Sequence, residues 1–213
     1  GNIRDSKTLQ KTIEDLRGEE NNKVGKQVIV MDAGIATEDN LAFLRGEGYD
    51  YVCVPLSKPD TKLPAREEEL STFPDQRGNQ IQARWVNFPG EEDNFLYLES
   101  EMKEKKEKSI QELHCLRYEA GLQAIKERIE KKGGIKRVEK VYERLGRLKE
   151  KYPSVHRLYE VKLKSEGGIV KEISWQKVKE RSRKPGAYFI RTTLRDEDEH
   201  TVWDIYNTIR EVE

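Results

Sequence analysis

Short apolar runs and helical spacings alternate over the first 56 residues. Residues 28–31 and 51–54 are continuous apolar runs of the kind that forms strands buried on both faces. Between them, Leu41 and Leu44 mark one helix face, and Thr37 stands where a helix-capping residue belongs. A strand, a helix and a strand joined by short links predict a βαβ crossover, in which the two strands are parallel.

The strongest helical pattern covers residues 101–152. Nearly every residue between 101 and 132 favours helix, and one apolar face recurs at 4-3-4 spacing through Tyr118, Leu122, Ile125 and Ile129. Gly133 and Gly134 interrupt the pattern, which resumes with Val138, Val141, Leu145, Leu148 and Tyr152. The two segments are therefore predicted to form an antiparallel αα-hairpin with one shared apolar seam.

Turn residues separate further strand patterns. Strands are predicted at 84–88 and 95–98, at 158–163 and 169–175 as a β-hairpin, and at 186–191. Residues 55–78 show no sustained period and are predicted to be a linker, with room for a short helix at 67–70. Residues 200–213 have the apolar spacing of a final helix, so the predicted class is α/β with an α+β insertion.

Composition and charge narrow the function. An apolar share of 35% is low for one compact body, so a second, weakly cored region is expected. The 40 basic and 40 acidic residues cancel, which argues against a dedicated nucleic-acid-binding domain and makes any DNA contact local. Cys53 and Cys115 form neither a metal pair nor a disulfide framework, and no apolar run approaches a membrane span. A soluble, cytoplasmic protein is predicted.

Asp32 follows the first predicted strand directly. It therefore lies at the carboxyl edge of a parallel strand, where α/β sheets place ligand sites. From spacing alone, an aspartate that begins a turn or caps the next helix is the commoner case. The three histidines, His114, His156 and His200, are scattered without a zinc-binding spacing.

Four separated phrases are similar to the transposase DDE domain of bacterial insertion sequences, in the branch called the insertion-sequence-four superfamily. They are GNIRDSKTL at 1–9, VIVMDAGIATEDN at 28–40, SEMKEKKEK at 100–108, and YFIRT at 188–192 with YNTIREVE at 206–213. The last phrase resembles the family's return strand and its helix signature of Tyr, two residues, Arg, three residues, Glu, six residues and Lys. Counting from Tyr206 puts the signature glutamate at Glu213.

This resemblance implies a partial ribonuclease-H-like core interrupted by an insertion domain. Residues 1–56 are the first part of the core, 57–185 the insertion with its αα-hairpin at 101–152, and 186–213 the return strand and catalytic helix. Asp32 and Glu213 are implied to be two of three carboxylates that bind Mg²⁺ or Mn²⁺. The implied activity is cutting and joining DNA, with transposon ends and target DNA as partners.

Two departures qualify the resemblance. Ile209 stands at the signature's arginine position, and the signature lysine and the first catalytic aspartate both fall outside the chain. The resemblance therefore implies a fragment that is inactive alone. A strand edge at 28–31 left without its neighbour is expected to favour pairing with a second copy, giving a homo-oligomer.

DNA contacts are expected at Lys103, Lys105, Lys106 and Arg210. Glutamates interleave the lysines, and a run of mixed sign is more often a solvated helix face. Arg210 is equally placed to pair with neighbouring acids, and Trp203 and Tyr206 are more often core residues at this spacing. Two alternatives stay open: a non-catalytic DNA- or protein-binding scaffold module, and a response-regulator-like phosphoryl-transfer domain, which needs a further acidic cluster.

Overall fold

The computed structural model describes residues 8–19, 27–56, 70–178 and 184–212. The chain divides into two compact units, which are described separately. The sheet unit comprises Gly1–Glu101 and Gly186–Glu213, and the hairpin unit comprises Met102–Pro185.

Five α-helices, eight strands and a short 3-10 helix (His156–Leu158) are present in the described residues. In chain order the strands are β1 (Val28–Met31), β2 (Asp50–Cys53), β3 (Ser71–Pro74), β4 (Gln80–Val86), β5 (Asn94–Ser100), β6 (Tyr159–Glu166), β7 (Ile169–Lys177) and β8 (Ala187–Thr192). The helices are α1 (Leu9–Glu19), α2 (Glu38–Gly46), α3 (Glu101–Glu130), α4 (Val138–Lys151) and α5 (Glu199–Val212). The protein is therefore of the mixed α/β class, as predicted. None of the helices in the described ranges has a stretch long and apolar enough to cross a membrane.

The sheet unit is built on one six-stranded sheet with the order β1-β2-β8-β5-β4-β3. Strands β1 and β2 are parallel, with Val28 opposite Asp50, and α2 connects them, so the predicted βαβ crossover is confirmed. The remaining pairs are antiparallel. Within the described residues β1 pairs with β2 alone and forms one edge of the sheet.

Helices lie on both faces of this sheet at β1 and β2. Successive residues of a strand point to opposite faces, so each of these strands contributes side chains to both layers. On one face, Met31, Tyr51 and Cys53 pack with apolar residues of α1 and α2, among them Ile13, Leu41 and Leu44. On the other face, Val28, Val30 and Val52 pack with α5 through Val202, Trp203 and Ile205. Strands β1 and β2 are thus buried between two helical layers, which explains their unbroken apolar sequences.

The range predicted as a linker, residues 55–78, contains strand β3, so that prediction was wrong in part. Phe73 is the one buried residue of this four-residue strand, and so short a segment shows no readable period. Pairing with β4, where Phe73 lies opposite Ile81, makes the strand. The suggested helix at 67–70 falls mostly outside the described residues, and Leu70 is not helical.

The range predicted as the insertion, residues 57–185, is divided between the two units. Strands β3, β4 and β5 extend the large sheet, because β5 pairs with β8 from Asn94 opposite Thr192 to Glu99 opposite Ala187. The hairpin unit begins only at Met102. Edge pairing therefore assigns 71–100 to the sheet that carries Asp32.

The hairpin unit contains the predicted αα-hairpin of α3 and α4 and the predicted β-hairpin of β6 and β7. Tyr118, Leu122 and Val141 are fully buried in its core, which also includes Val170 and Ile173 of β7. The turn after α3 requires glycine at Gly134, since a Cβ there would lie 1.9 Å from the carbonyl oxygen of Arg128. A complete core inside 102–185 explains the 4-3-4 apolar spacing of α3.

Candidate functional site

Asp32 lies directly after β1 and is exposed. Its Oδ1 accepts hydrogen bonds from the backbone amides of Gly34, at 2.8 Å, and Ile35, at 3.2 Å. Oδ2 has no hydrogen-bond partner among the described residues. The side chain therefore organises the turn after the strand with one oxygen and presents the other to solvent, so the turn role and a ligand role are compatible.

The turn that holds Asp32 is anchored to the start of α2. The amide of Ala36 donates to the carbonyl oxygen of Asp32 at 3.2 Å, and Asn40, which is buried, donates its Nδ2 to the carbonyl oxygen of Ile35 at 2.8 Å. Thr37 caps the helix, its Oγ1 accepting from the amide of Asn40 at 3.3 Å. The position of Asp32 is thus determined by a helix N-terminus as well as by a strand.

Helix α5 packs on the sheet face formed by Val28 and Val30 of β1. The strand ends at Met31, so Asp32 begins the following turn, to which its side chain is hydrogen-bonded. The helix continues to Val212, the last described residue, so Glu213 lies outside the described residues. The backbone of Arg210 belongs to α5, and its side chain is outside the description. Within the described ranges, no three His, Cys, Asp or Glu side chains lie together as a metal-binding group.

A partly buried ion cluster lies on the opposite face of the sheet. The Arg191 cluster consists of Arg191, Asp93, Glu38, Arg45 and Tyr51. Arg191 donates its Nε to Asp93 Oδ2 and its Nη1 to Glu38 Oε1, the latter at 2.6 Å. Asp93 also accepts from the Tyr51 hydroxyl at 2.6 Å and from Arg45 Nη1 at 3.0 and 3.1 Å.

The electrostatics of the cluster favour a fixed set of charges. Burial, followed by the hydrogen bond to Asp93, raises the pKa of the Tyr51 hydroxyl well above its usual value. Burial lowers the pKa of Arg191, but the hydrogen bonds to Glu38 and Asp93 outweigh it and the net shift is upward. Two guanidinium cations therefore face three carboxylates around a neutral phenol, because Glu91 also pairs with Arg191, at 3.5 Å. These ion pairs stabilise the fold.

Backbone register relates this cluster to Asp32. Arg191 of β8 lies opposite Cys53 of β2, which lies opposite Met31, the residue before Asp32. Strands are spaced by ~4.8 Å, so the backbones of Met31 and Arg191 are roughly 10 Å apart. The network pins the first turn of α2 through Glu38, and α2 begins where the Asp32 turn ends. The Arg191 cluster is thus a support for the turn that presents Asp32.

Sequence reasoning missed the Arg191 cluster. One signal was available: Arg191 is a charged residue between Ile190 and Thr192 in a strand otherwise free of charge, and buried charges are normally paired. Its partner Asp93 carries no comparable signal, because it stands in a polar loop beside Glu91 and Glu92.

The lysines expected to contact DNA lie in the first two turns of α3. Lys105 and Lys106 are exposed, and Lys103 is half-buried. Glutamates alternate with them, and neighbouring Lys108 forms an ion pair with Glu104 at 2.6 Å. Trp203 is buried and donates its Nε1 to the Tyr188 hydroxyl at 3.0 Å, a core position in agreement with its helical spacing.

Comparison of the chain with models of protein families, with curated proteins and with solved structures finds no match.

Proposed function

We propose that Asp32 and Glu213 are two carboxylate ligands of a divalent-metal site that cuts and joins DNA, as in the DDE transposases that the chain resembles. One observation carries the proposal. Helix α5 packs on β1, the strand that directly precedes Asp32, and its described part ends at Val212, one position before Glu213. Helix α5 thus returns to the strand that precedes the other proposed carboxylate. A ribonuclease-H-like core is part of the proposal.

The donor set fits a hard cation. Mg²⁺ and Mn²⁺ prefer carboxylate oxygens and retain several waters, and Asp32 offers an exposed carboxylate with one oxygen free. In such a site, paired divalent ions polarise the attacking and leaving oxygens of a phosphodiester. Asp32 contributes an oxygen held in place by the turn, because two backbone amides and the start of α2 orient its side chain.

Paramagnetic Mn²⁺ tests the proposal in the 213-residue chain. Bound Mn²⁺ is expected to broaden the amide NMR signals of Gly34 and Ile35 selectively, and Asp32→Asn or Glu213→Gln is expected to abolish this broadening. Asp39→Asn and Glu211→Gln are matched controls, since each makes the same chemical change a few residues away. Broadening that survives both site substitutions would refute the proposed metal site.

A strand-cleavage assay separates the proposal from its main alternative. The assay uses a longer protein that also contains the first catalytic aspartate of the family. In that protein, Asp32→Asn is expected to abolish metal-dependent nicking of DNA. A non-catalytic DNA- or protein-binding module predicts instead that Asp32→Asn changes nothing the chain does. Retention of binding with no nicking in any variant would favour that module.

A further inference from the structure

A groove of about 290 Å³ lies between α3 and α4 in the hairpin unit. Its apolar lining includes Gly121, Ile125 and Leu148. Its remaining lining is cationic and comes from both helices, with Arg128 on α3 and Arg144, Arg147 and Lys151 on α4. No carboxylate lines it, although acidic and basic residues are equal in number over the whole chain.

The sequence produces this groove through helical spacing and one glycine. A Cβ at Gly121 would lie 2.4 Å from Leu148 Cδ1, so Leu148 fills the space that a side chain at 121 would take. Arg144, Arg147 and Lys151 follow one another at i, i+3 and i+7, which places them on one face of α4. Arg128 stands seven residues after Gly121 and projects from the same face of α3.

Two of the cations lack the ion pairs that are common elsewhere in this unit. Lys140 and Arg147 both pair with Glu143, at 3.1 and 2.6 Å, and Lys164 pairs with Glu172 at 2.7 Å. The side chains of Arg128 and Arg144 make no hydrogen bond or ion pair with any of the residues that the structure describes, although the charge of Arg144 acts on the neighbouring carboxylate of Glu143. Arg144 is also half-buried. Guanidiniums without an ion-pair partner beside an open groove attract anions, and guanidinium is the side chain best suited to phosphate.

The spacing of the cations suits a polyanion. Arg144 and Lys151 are seven residues apart on α4, which corresponds to ~10.5 Å along the helix axis. One strand of duplex DNA carries a phosphate every ~3.4 Å along its axis, so this distance spans about three phosphates. We propose that the groove between α3 and α4 binds the phosphate backbone of duplex DNA. Its preference for phosphate follows from the groove itself, and the choice of DNA rests on the proposed function.

This surface differs from the lysines near the start of α3. Lys103, Lys105 and Lys106 have glutamates among them, whereas the groove brings cations from two helices together and has no carboxylate in its lining. Phosphate contacts of this kind position a protein on DNA without reading its sequence. The groove therefore contributes orientation and affinity, and the proposed metal site contributes chemistry.

The salt dependence of DNA binding tests the inference. Binding of a labelled duplex to the 213-residue chain is measured by fluorescence anisotropy in EDTA, which removes any contribution from bound metal. The slope of log K against log salt is negative for DNA binding. For Arg128→Gln with Arg144→Gln, the magnitude of this slope is expected to fall by ~1.8, about 0.9 for each lost phosphate contact. The matched control is Lys164→Gln with Lys171→Gln, which removes two cations already paired with Glu172 and Glu166 and is expected to leave the slope unchanged.

The outcomes are distinct from those of the metal test. An unchanged slope in the arginine variant, or an equal fall in both variants, overturns the inference. Tighter binding of an RNA duplex of the same sequence overturns the assignment to DNA. Circular dichroism of both variants verifies that the helices remain folded. If the Mn²⁺ test fails while the magnitude of the slope falls as expected, the groove is a phosphate-binding site and the proposed metal site is refuted.

Discussion

Arg191 and Asp93 form a buried ion pair that joins the end of β8 to the residue immediately before β5. The side chain of Asp93 is 2% exposed and that of Arg191 8% exposed, so neither charge is stabilised by bulk water. Asp93 accepts from Arg191, Arg45 and Tyr51, and every one of these donors would lose a partner if the carboxylate were removed.

Asp93→Asn is therefore expected to lower the free energy of unfolding by about 3 kcal/mol, because removing one partner of a buried pair leaves the other charge uncompensated. Urea unfolding monitored by circular dichroism measures the loss. Asp39→Asn, at an exposed position on α2, is the control and is expected to stay within about 0.5 kcal/mol of the native chain. Equal stabilities for the two variants would show that the cluster contributes nothing.

Thr37→Ala is expected to cost about 1 kcal/mol, because the Ala side chain cannot accept the hydrogen bond from the amide of Asn40. The same substitution is expected to increase hydrogen exchange at the amides of Gly34 and Ile35, since the turn that holds Asp32 abuts this cap. Thr37→Ser keeps the hydroxyl and is expected to preserve both properties. Faster exchange in the Ser variant as well would assign the effect to packing of the Thr37 methyl group.

Two glycines of the αα-hairpin are expected to respond to alanine in opposite ways. At Gly146 of α4 an added Cβ meets nothing within 4 Å, so Gly146→Ala is expected to stabilise the protein by about 1 kcal/mol through helix propensity. At Gly121 the added Cβ must displace Leu148, which offsets the same gain by about 1 kcal/mol or more. Thermal unfolding compares the two variants.

A double variant checks the physical reason. The double variant Gly121→Ala with Leu148→Ala has no steric conflict. Its loss of unfolding free energy is therefore expected to be smaller than the sum of the losses in the two single variants. Additive costs would mean that Leu148 moves aside freely.

Cys53 is expected to weaken the fold at alkaline pH. Burial raises the pKa of its thiol from 9.0 to about 12. Between these values the unfolded chain has lost a proton that the folded chain retains, so stability is complete below the lower pKa and falls as pH rises toward the upper one. Urea midpoints measured from about pH 7 to about pH 11 should therefore fall less steeply in Cys53→Ser than in the native chain. Tyr51, whose pKa is also raised, is present in both proteins and does not affect the difference.

Local sequence pattern was sufficient for most individual elements. The apolar runs of β1 and β2, the 4-3-4 spacing of α3 and the alternating pattern of the hairpin strands at 158–163 and 169–175 each act within a few residues, and the structure has the predicted elements there. The placement of Asp32 was predictable for the same reason. A parallel strand followed by a capped helix requires a turn at its carboxyl end, and the turn begins with Asp32.

Tertiary structure alone decided how distant segments share an edge or a charge. Strand β3 has one buried residue and exists because β4 offers it a free edge, and 71–100 belong to the large sheet because β5 pairs with β8. Arg191 and Asp93 are 98 positions apart, and the groove depends on Gly121 of one helix meeting Leu148 of another. The periodicity of a segment shows which side of its helix or strand is apolar. Strand pairing, the pairing of buried charges and the close approach of two helices depend on which other segment packs there, and the local sequence does not contain that information.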